Sequence, residues 1–199
     1  FKRWWDEWSG LPDVVTGDQD FDYSRRESFK DRAVFGELTW HVTDTVQLTG
    51  GLRHFKNDFT NRTFMALPLY AGFAPPSYSA FDSSDSDTLF KFNASWRFAG
   101  QHTLYGTVSE GNRRGGSNAV PLVGNFAEDP SWQRYRPDSV VNYELGVKGA
   151  TQRLQYSVAA FYVDWKDVQV NTSTPNWGFY TAMNGGTARS SGIELDLAG

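Results

Sequence analysis

Apolar residues in this chain recur at every second position, and no segment repeats them at helical spacing. In residues 142–170, NYELGVKGATQRLQYSVAAFYVDWKDVQV, Tyr143, Leu145 and Val147 alternate with Asn142, Glu144, Gly146 and Lys148. After a turn at Ala150–Arg153 the alternation resumes with Leu154, Tyr156, Val158, Ala160 and Tyr162. Successive side chains of a strand point to opposite faces, so such segments predict strands with one apolar and one polar face. Five more segments behave alike: Lys30–Val42, Val46–Lys56, Phe90–Phe98, Thr103–Glu110 and Ala188–Leu197. About seven strands and no helices are expected.

The connections sharpen this reading. Residues 43–45, 99–102 and 150–153 are short turns rich in Gly, Asp, Thr and Gln. Residues 57–86, 111–137 and 171–183 are long and irregular, and the segment before Lys30 is assigned to a further long loop. Short and long links alternate, so an antiparallel up-and-down meander gathers its tight turns at one end and its large loops at the other. Loops beyond about 12–15 residues are uncommon in compact soluble domains. They are the rule in transmembrane β-barrels, which combine short periplasmic turns, long extracellular loops and strands of about ten residues. Aromatic residues near the strand ends (Trp40, Trp96 and Phe98; Phe90, Tyr162 and Trp165) suit the girdles of such barrels. The expected fold is therefore all-β, an incomplete transmembrane barrel.

A barrel also accounts for a mean hydropathy of −0.53, because only the lipid face has to be apolar. The residues assigned to that face are Val34, Leu38, Trp40, Leu48, Leu52, Phe90, Phe92, Trp96, Tyr143, Leu145, Val147, Ile193 and Leu195. Arg53, Lys91, Arg97, Lys148, Glu144, Glu194 and Asp196 fall opposite, while His54 and Arg189 fall outward near strand ends. Val163 and Trp165 switch parity, through either a bulge or the edge of the membrane. A net charge of −4 and a pI of about 5.3 give no basic field for nucleic acid. Zero cysteines exclude disulfides, thiolate metal sites and thiol catalysis. The chain opens on Phe1 and stops at Gly199 directly after a strand pattern, which reads as a piece of a longer protein.

Five motifs then follow in order: FGELTWHVTDTVQLTGGLR (35–53), TLYGTVSEGNRRGGSN (103–118), YRPDSVVNYELGVKG (135–149), AAFYVDWKDVQV (159–170) and NGGTARSSGIELDL (184–197). Together they resemble the second half of a TonB-dependent outer-membrane receptor of the ferric-siderophore type. Asp138 stands where that family more often carries Glu. The resemblance implies that residues 1–199 are a partial barrel domain, with the plug, the N-terminal strands and the C-terminal strands absent. It further implies a Gram-negative outer-membrane location and energy-coupled uptake of an iron chelate or similar large solute. Expected partners are membrane lipid, that solute, and the TonB complex acting through the absent N-terminal part; nucleic acid, enzymatic activity and cofactors are not expected. A passive porin, or a soluble β-sheet binding protein, are the alternatives.

Candidate solute-binding residues lie in the long loops. Arg113 and Arg114 are fit to pair with anionic oxygens, although solvated charges and contacts to lipid phosphate suit them equally. Trp132, Arg134, Tyr135 and Arg136 of WQRYRPD, with Trp177 and Tyr180 of NWGFY, mix rings and cations as binding surfaces do. Packing between neighbouring loops is the competing role. FKRWWDEW at the start of the chain invites the same two readings. His41, His54 and His102 are scattered, so no metal site is expected, and no catalytic group stands out.

Overall fold

A computed structural model describes residues 4–12, 19–67 and 75–199, with side chains placed for 22–67 and 75–199. Its strands are β1 (Trp4–Pro12), β2 (Gln19–His41), β3 (Val46–Ala66), β4 (Ser77–Phe98), β5 (His102–Arg113), β6 (Gly116–Ser117), β7 (Arg134–Tyr135), β8 (Asp138–Ala150), β9 (Gln155–Lys166), β10 (Gln169–Ser173), β11 (Tyr180–Asn184) and β12 (Ala188–Ala198). Eight of them form one antiparallel meander in the order β1-β2-β3-β4-β5-β8-β9-β12. β6 pairs with β7 and β10 with β11 as small ribbons within the long connections. The sole helical piece among the described residues is one 3₁₀ turn, Pro130–Gln133, opened by Asp129, whose carboxylate accepts from Ser131 N.

The alternation in sequence becomes a continuous pattern in space. Directly paired residues share a face, and Trp40, Leu48, Ala94, Gly106, Leu145, Ala160 and Ile193 form one unbroken row across the sheet. Val46, Trp96, Leu104, Val147, Val158 and Leu195 form the next. All thirteen residues assigned to lipid from the sequence lie on this face; Leu48 and Val147 are half-buried and the others exposed. Leu38, Leu145 and Ile193 expose 77, 61 and 78% of their surface. Among the described residues, no protein layer covers this apolar face.

Three tight turns close one end. Thr43 Oγ1 accepts from the amides of Thr45 and Val46, and Thr151 Oγ1 accepts from Leu154 N. In the turn between β4 and β5, Ala99 and Gly100 take positive φ of 44° and 80°.

Two stretches read as loops are strand instead. Trp4–Pro12 and Gln19–Ser28 form an extra hairpin, where a long loop was expected before Lys30. β3 and β4 pair without interruption through Met65 and Ser77, so residues 57–86 contain a hairpin whose link is only 67–76. The cause is a change of phase. Along β3 the apolar residues are even-numbered up to Leu52, whereas the buried side chains beyond it are mostly odd-numbered: Phe55, Phe59, Asn61, Thr63 and Met65. Even-numbered Phe64 and Ala66 near the strand end depart from both patterns. The strand does not break; its surroundings exchange sides. The same holds in β9, where pairing to β8 and β12 runs unbroken past Val163 and Trp165, so no bulge causes their switch.

Candidate functional site

The odd-numbered face of the extended β2–β4 blade is where the long connections settle. Phe29 stacks on Phe59 with centroids 4.6 Å apart, and Phe81 lies 6.1 Å from Phe59. Over this aromatic floor pass residues 114–137. Ser117, itself buried, accepts from Arg25 Nη2 through its carbonyl at 2.6 Å and from Asn61 Nδ2 through Oγ at 2.6 Å. Val120 is 1% exposed. Asn118 ties this loop to residues 167–187, donating to the carbonyls of Trp132 and Ala182 and accepting from Ala182 N. Buried Glu128 does the same, accepting from the amides of Asn176 and Trp177 at 2.7 and 2.5 Å. Two loops distant in sequence are thus stapled into one layer.

A cleft of about 730 Å³ remains between this layer and the strands. Its lining includes Asp31, Arg53, Phe55, Arg113, Arg114 and Tyr135. Three guanidinium groups therefore face one carboxylate, Asp31. Arg113 is compensated: Asp138, almost wholly buried, accepts from its Nε at 2.8 Å, its backbone N at 3.1 Å and its Nη2. Asp138 also accepts from Gln169 N at 3.2 Å, and the Arg113 guanidinium lies 4.6 Å over Trp165. Arg114 sits 3.6 Å over the Phe29 ring. Among the described residues, neither Arg53 nor Arg114 has an ion-pair partner. Burial raises the Tyr135 phenol above its ordinary pKa, with Arg25 pulling the other way, so Tyr135 remains a hydrogen-bond donor at neutral pH. The arrangement suits an oxygen-rich anion, which guanidinium and phenol donors recognise directly.

The sequence-derived candidates divide accordingly. Arg113, Arg114 and Tyr135 come together at the cleft. Arg134 is 6.0 Å over Phe81, and Arg136 pairs with Asp167 at 2.7 Å. Trp132 lies in the 3₁₀ turn. Trp177 packs between Phe126 and Phe179. Tyr180, on β11, is 81% exposed. Arg53 was read only as a polar-face residue, and Asp31 and Phe55 were not singled out; they enter through the register of β2 and β3, which no local motif announces. The tryptophans of FKRWWDEW belong to β1, and their side chains lie outside the described residues. No group of three metal-binding side chains converges among the described residues.

A meandering sheet with an open apolar belt on one face, and a loop-capped polar cleft on the other, is the wall of a large β-barrel. The chain belongs to the TonB dependent receptor-like β-barrel family, which it matches over residues 3–199. It is similar to the pesticin receptor of Yersinia enterocolitica (serotype O:8, biotype 1B), at 28% identity over 164 residues, 82% of this chain and 23% of that protein. The pesticin receptor of Yersinia pestis matches to the same extent. Among solved structures, the ferric yersiniabactin uptake receptor FyuA from Yersinia pestis superposes with a TM-score of 0.74 at 22% identity, covering 92% of this chain and 26% of that one. The copper transporter OprC gives 0.64 at 15% identity, covering 96% and 30%. At these identities the structures speak for the fold. The chain spans about a quarter of the length of each relative.

Proposed function

We propose that this chain is part of the barrel wall of a Gram-negative outer-membrane receptor that imports an iron chelate. On this reading the apolar face meets lipid and the cleft faces the lumen below the extracellular loops. The remaining strands, the plug and the segment engaged by the TonB complex belong to the rest of the protein. The protein transports its solute and does no chemistry on it, so it is not an enzyme. Family membership supports the receptor class, and the likeness to the ferric yersiniabactin uptake receptor supports a ferric chelate as solute. The observation that carries the reading is the cleft: Arg53 and Arg114, without carboxylate partners among the described residues, beside the phenol of Tyr135.

The test uses the full-length receptor in cells dependent on a supplied anionic ferric chelate. Losing one charge-assisted contact costs roughly 1.5–3 kcal/mol, so Arg53→Ala and Arg114→Ala should each weaken chelate binding about tenfold or more at unchanged receptor abundance. Tyr180→Ala, remote from the cleft lining, should leave binding within about twofold. Equal binding by all three variants would remove the cleft from the account.

A further inference from the structure

We infer that the apolar face of β2 and β3 ends in a binding site for the phosphate group of a membrane lipid. The inference rests on the membrane placement proposed above and is independent of the solute. Moving off the apolar belt, β2 presents Val34, then Arg32, then Lys30 on this face, and β3 presents Leu52, His54, Lys56 and Asp58. Register sets them in rows with β4: Val34, His54 and Thr88; Arg32, Lys56 and Ser86; Lys30, Asp58 and Ser84. Contacts confirm the shared face, since His54 Nδ1 meets Thr88 Oγ1 at 2.9 Å and Ser84 Oγ donates to Asp58 at 2.8 Å.

Three cations thus surround one carboxylate. Asp58 is 3.7 Å from Arg32 and 3.9 Å from Lys56, both beyond hydrogen-bonding distance, and Lys30 has no ion pair among the described residues. Elsewhere along the same boundary the charge is balanced. Among the described residues, Asp164 and Arg189 pair at 3.3 Å on β9 and β12, and β5 offers Glu110, with only Lys166 beyond them. The excess is therefore local to β2 and β3 and does not form an even cationic collar.

Depth fits as well. At roughly 3.3 Å per residue, Arg32 lies about 7 Å along the strand from Val34, and Lys56 about 13 Å from Leu52. Arg32 and Lys56 share one row. Measured from Val34, the last apolar residue below it, a strand tilt of about 40° puts that row roughly 5 Å higher, within the layer of polar head groups above the hydrocarbon. Guanidinium and ammonium groups supply donors, and the Ser86 and Thr88 hydroxyls add more.

The experiment takes the detergent-solubilised full-length receptor and titrates it with phosphatidic acid, followed by native mass spectrometry. Matched diacylglycerol and inorganic phosphate serve as comparison ligands. The wild type should hold phosphatidic acid in preference to diacylglycerol, with millimolar inorganic phosphate displacing little of it. At about 1 kcal/mol, or fivefold, per cation near a lipid surface, Lys30→Gln alone should cost about fivefold, and K30Q/R32Q/K56Q about 100-fold. Asp58→Asn should tighten binding, and Arg153→Gln, at the turn end, should change nothing. Unaltered binding in the triple variant, equal uptake of diacylglycerol, or full displacement by phosphate would overturn the assignment. Heat-modifiable gel migration reports barrel assembly separately, so a failure of the membrane placement is distinguishable from a failure of the lipid site.

Discussion

At Gly146 a missing side chain positions a neighbour. An added Cβ there would sit 2.6 Å from the Tyr105 ring, which lies across the glycine so that its hydroxyl donates to Glu144 at 2.6 Å. Such packing of an aromatic ring over a cross-strand glycine pins the register of β5 against β8. Asp138 has the opposite character: one carboxylate joining the roots of three elements through Arg113 and Gln169. Asp138→Ala should destabilise the docked loops by about 1–3 kcal/mol, because donors left behind lose a charged acceptor while Arg113, half exposed, regains water. Hydrogen exchange in the full-length receptor should show faster exchange at the amides of Arg113 and Gln169; unchanged protection there would mean that the loops are held by something else. The sequence marks Arg113 as a candidate for solute, and the structure gives much of its capacity to this internal ion pair. A carboxylate 25 residues away in sequence cannot be matched to its arginine without the fold.

Strands were legible where one face repeated without interruption, and illegible where the apolar face changed sides. Phe90–Phe98 reads cleanly because Phe90, Phe92, Trp96 and Phe98 are all even-numbered. Val46–Ala66 stops reading as strand at Lys56, because Phe55 and Phe59 shift the apolar residues to odd numbers where the opposite face is the covered one, and Phe64 and Ala66 then restore neither phase. A window that scores one phase takes such a crossing for the end of the element. Hidden with it were the upper parts of β2, β3 and β4, and hence the aromatic floor of Phe29, Phe59 and Phe81 on which the loop layer rests. On the apolar face, Phe92→Arg should impair membrane assembly of the full-length receptor, by roughly 2–4 kcal/mol if it lies at mid-depth. Asn93→Arg, on the polar face, forfeits mainly the amide bond to Thr107 Oγ1 and should cost about 1 kcal/mol. Folding yields into lipid vesicles would rank the two, and a reversed order would place the lipid on the other face.

For the molecule as a whole, the meander, the tight turns at one end and the family were visible in the order of motifs, since these depend on local pattern, whereas two of the long links, before Lys30 and at 57–86, are largely strand. The stapling of residues 114–137 to 167–187 was not visible, because Asn118, Glu128 and Ser117 are unremarkable polar residues until their partners are known. The resulting division is spatial: an open apolar belt below, a blade and loop layer above, and a cationic cleft between them. That division depends on the phase change in β3. The chain contains no cysteine, so single cysteines from Val46 to Ala66 in the full-length receptor can carry spin labels one at a time, provided the rest of the protein contributes no reactive thiol. Collision with oxygen, which concentrates in hydrocarbon, should peak at positions 46, 48, 50 and 52, fall at the odd positions between them, and lose its alternation from 56 onward. Peaks at 47, 49, 51 and 53, or an alternation that persists to 66, would contradict the account.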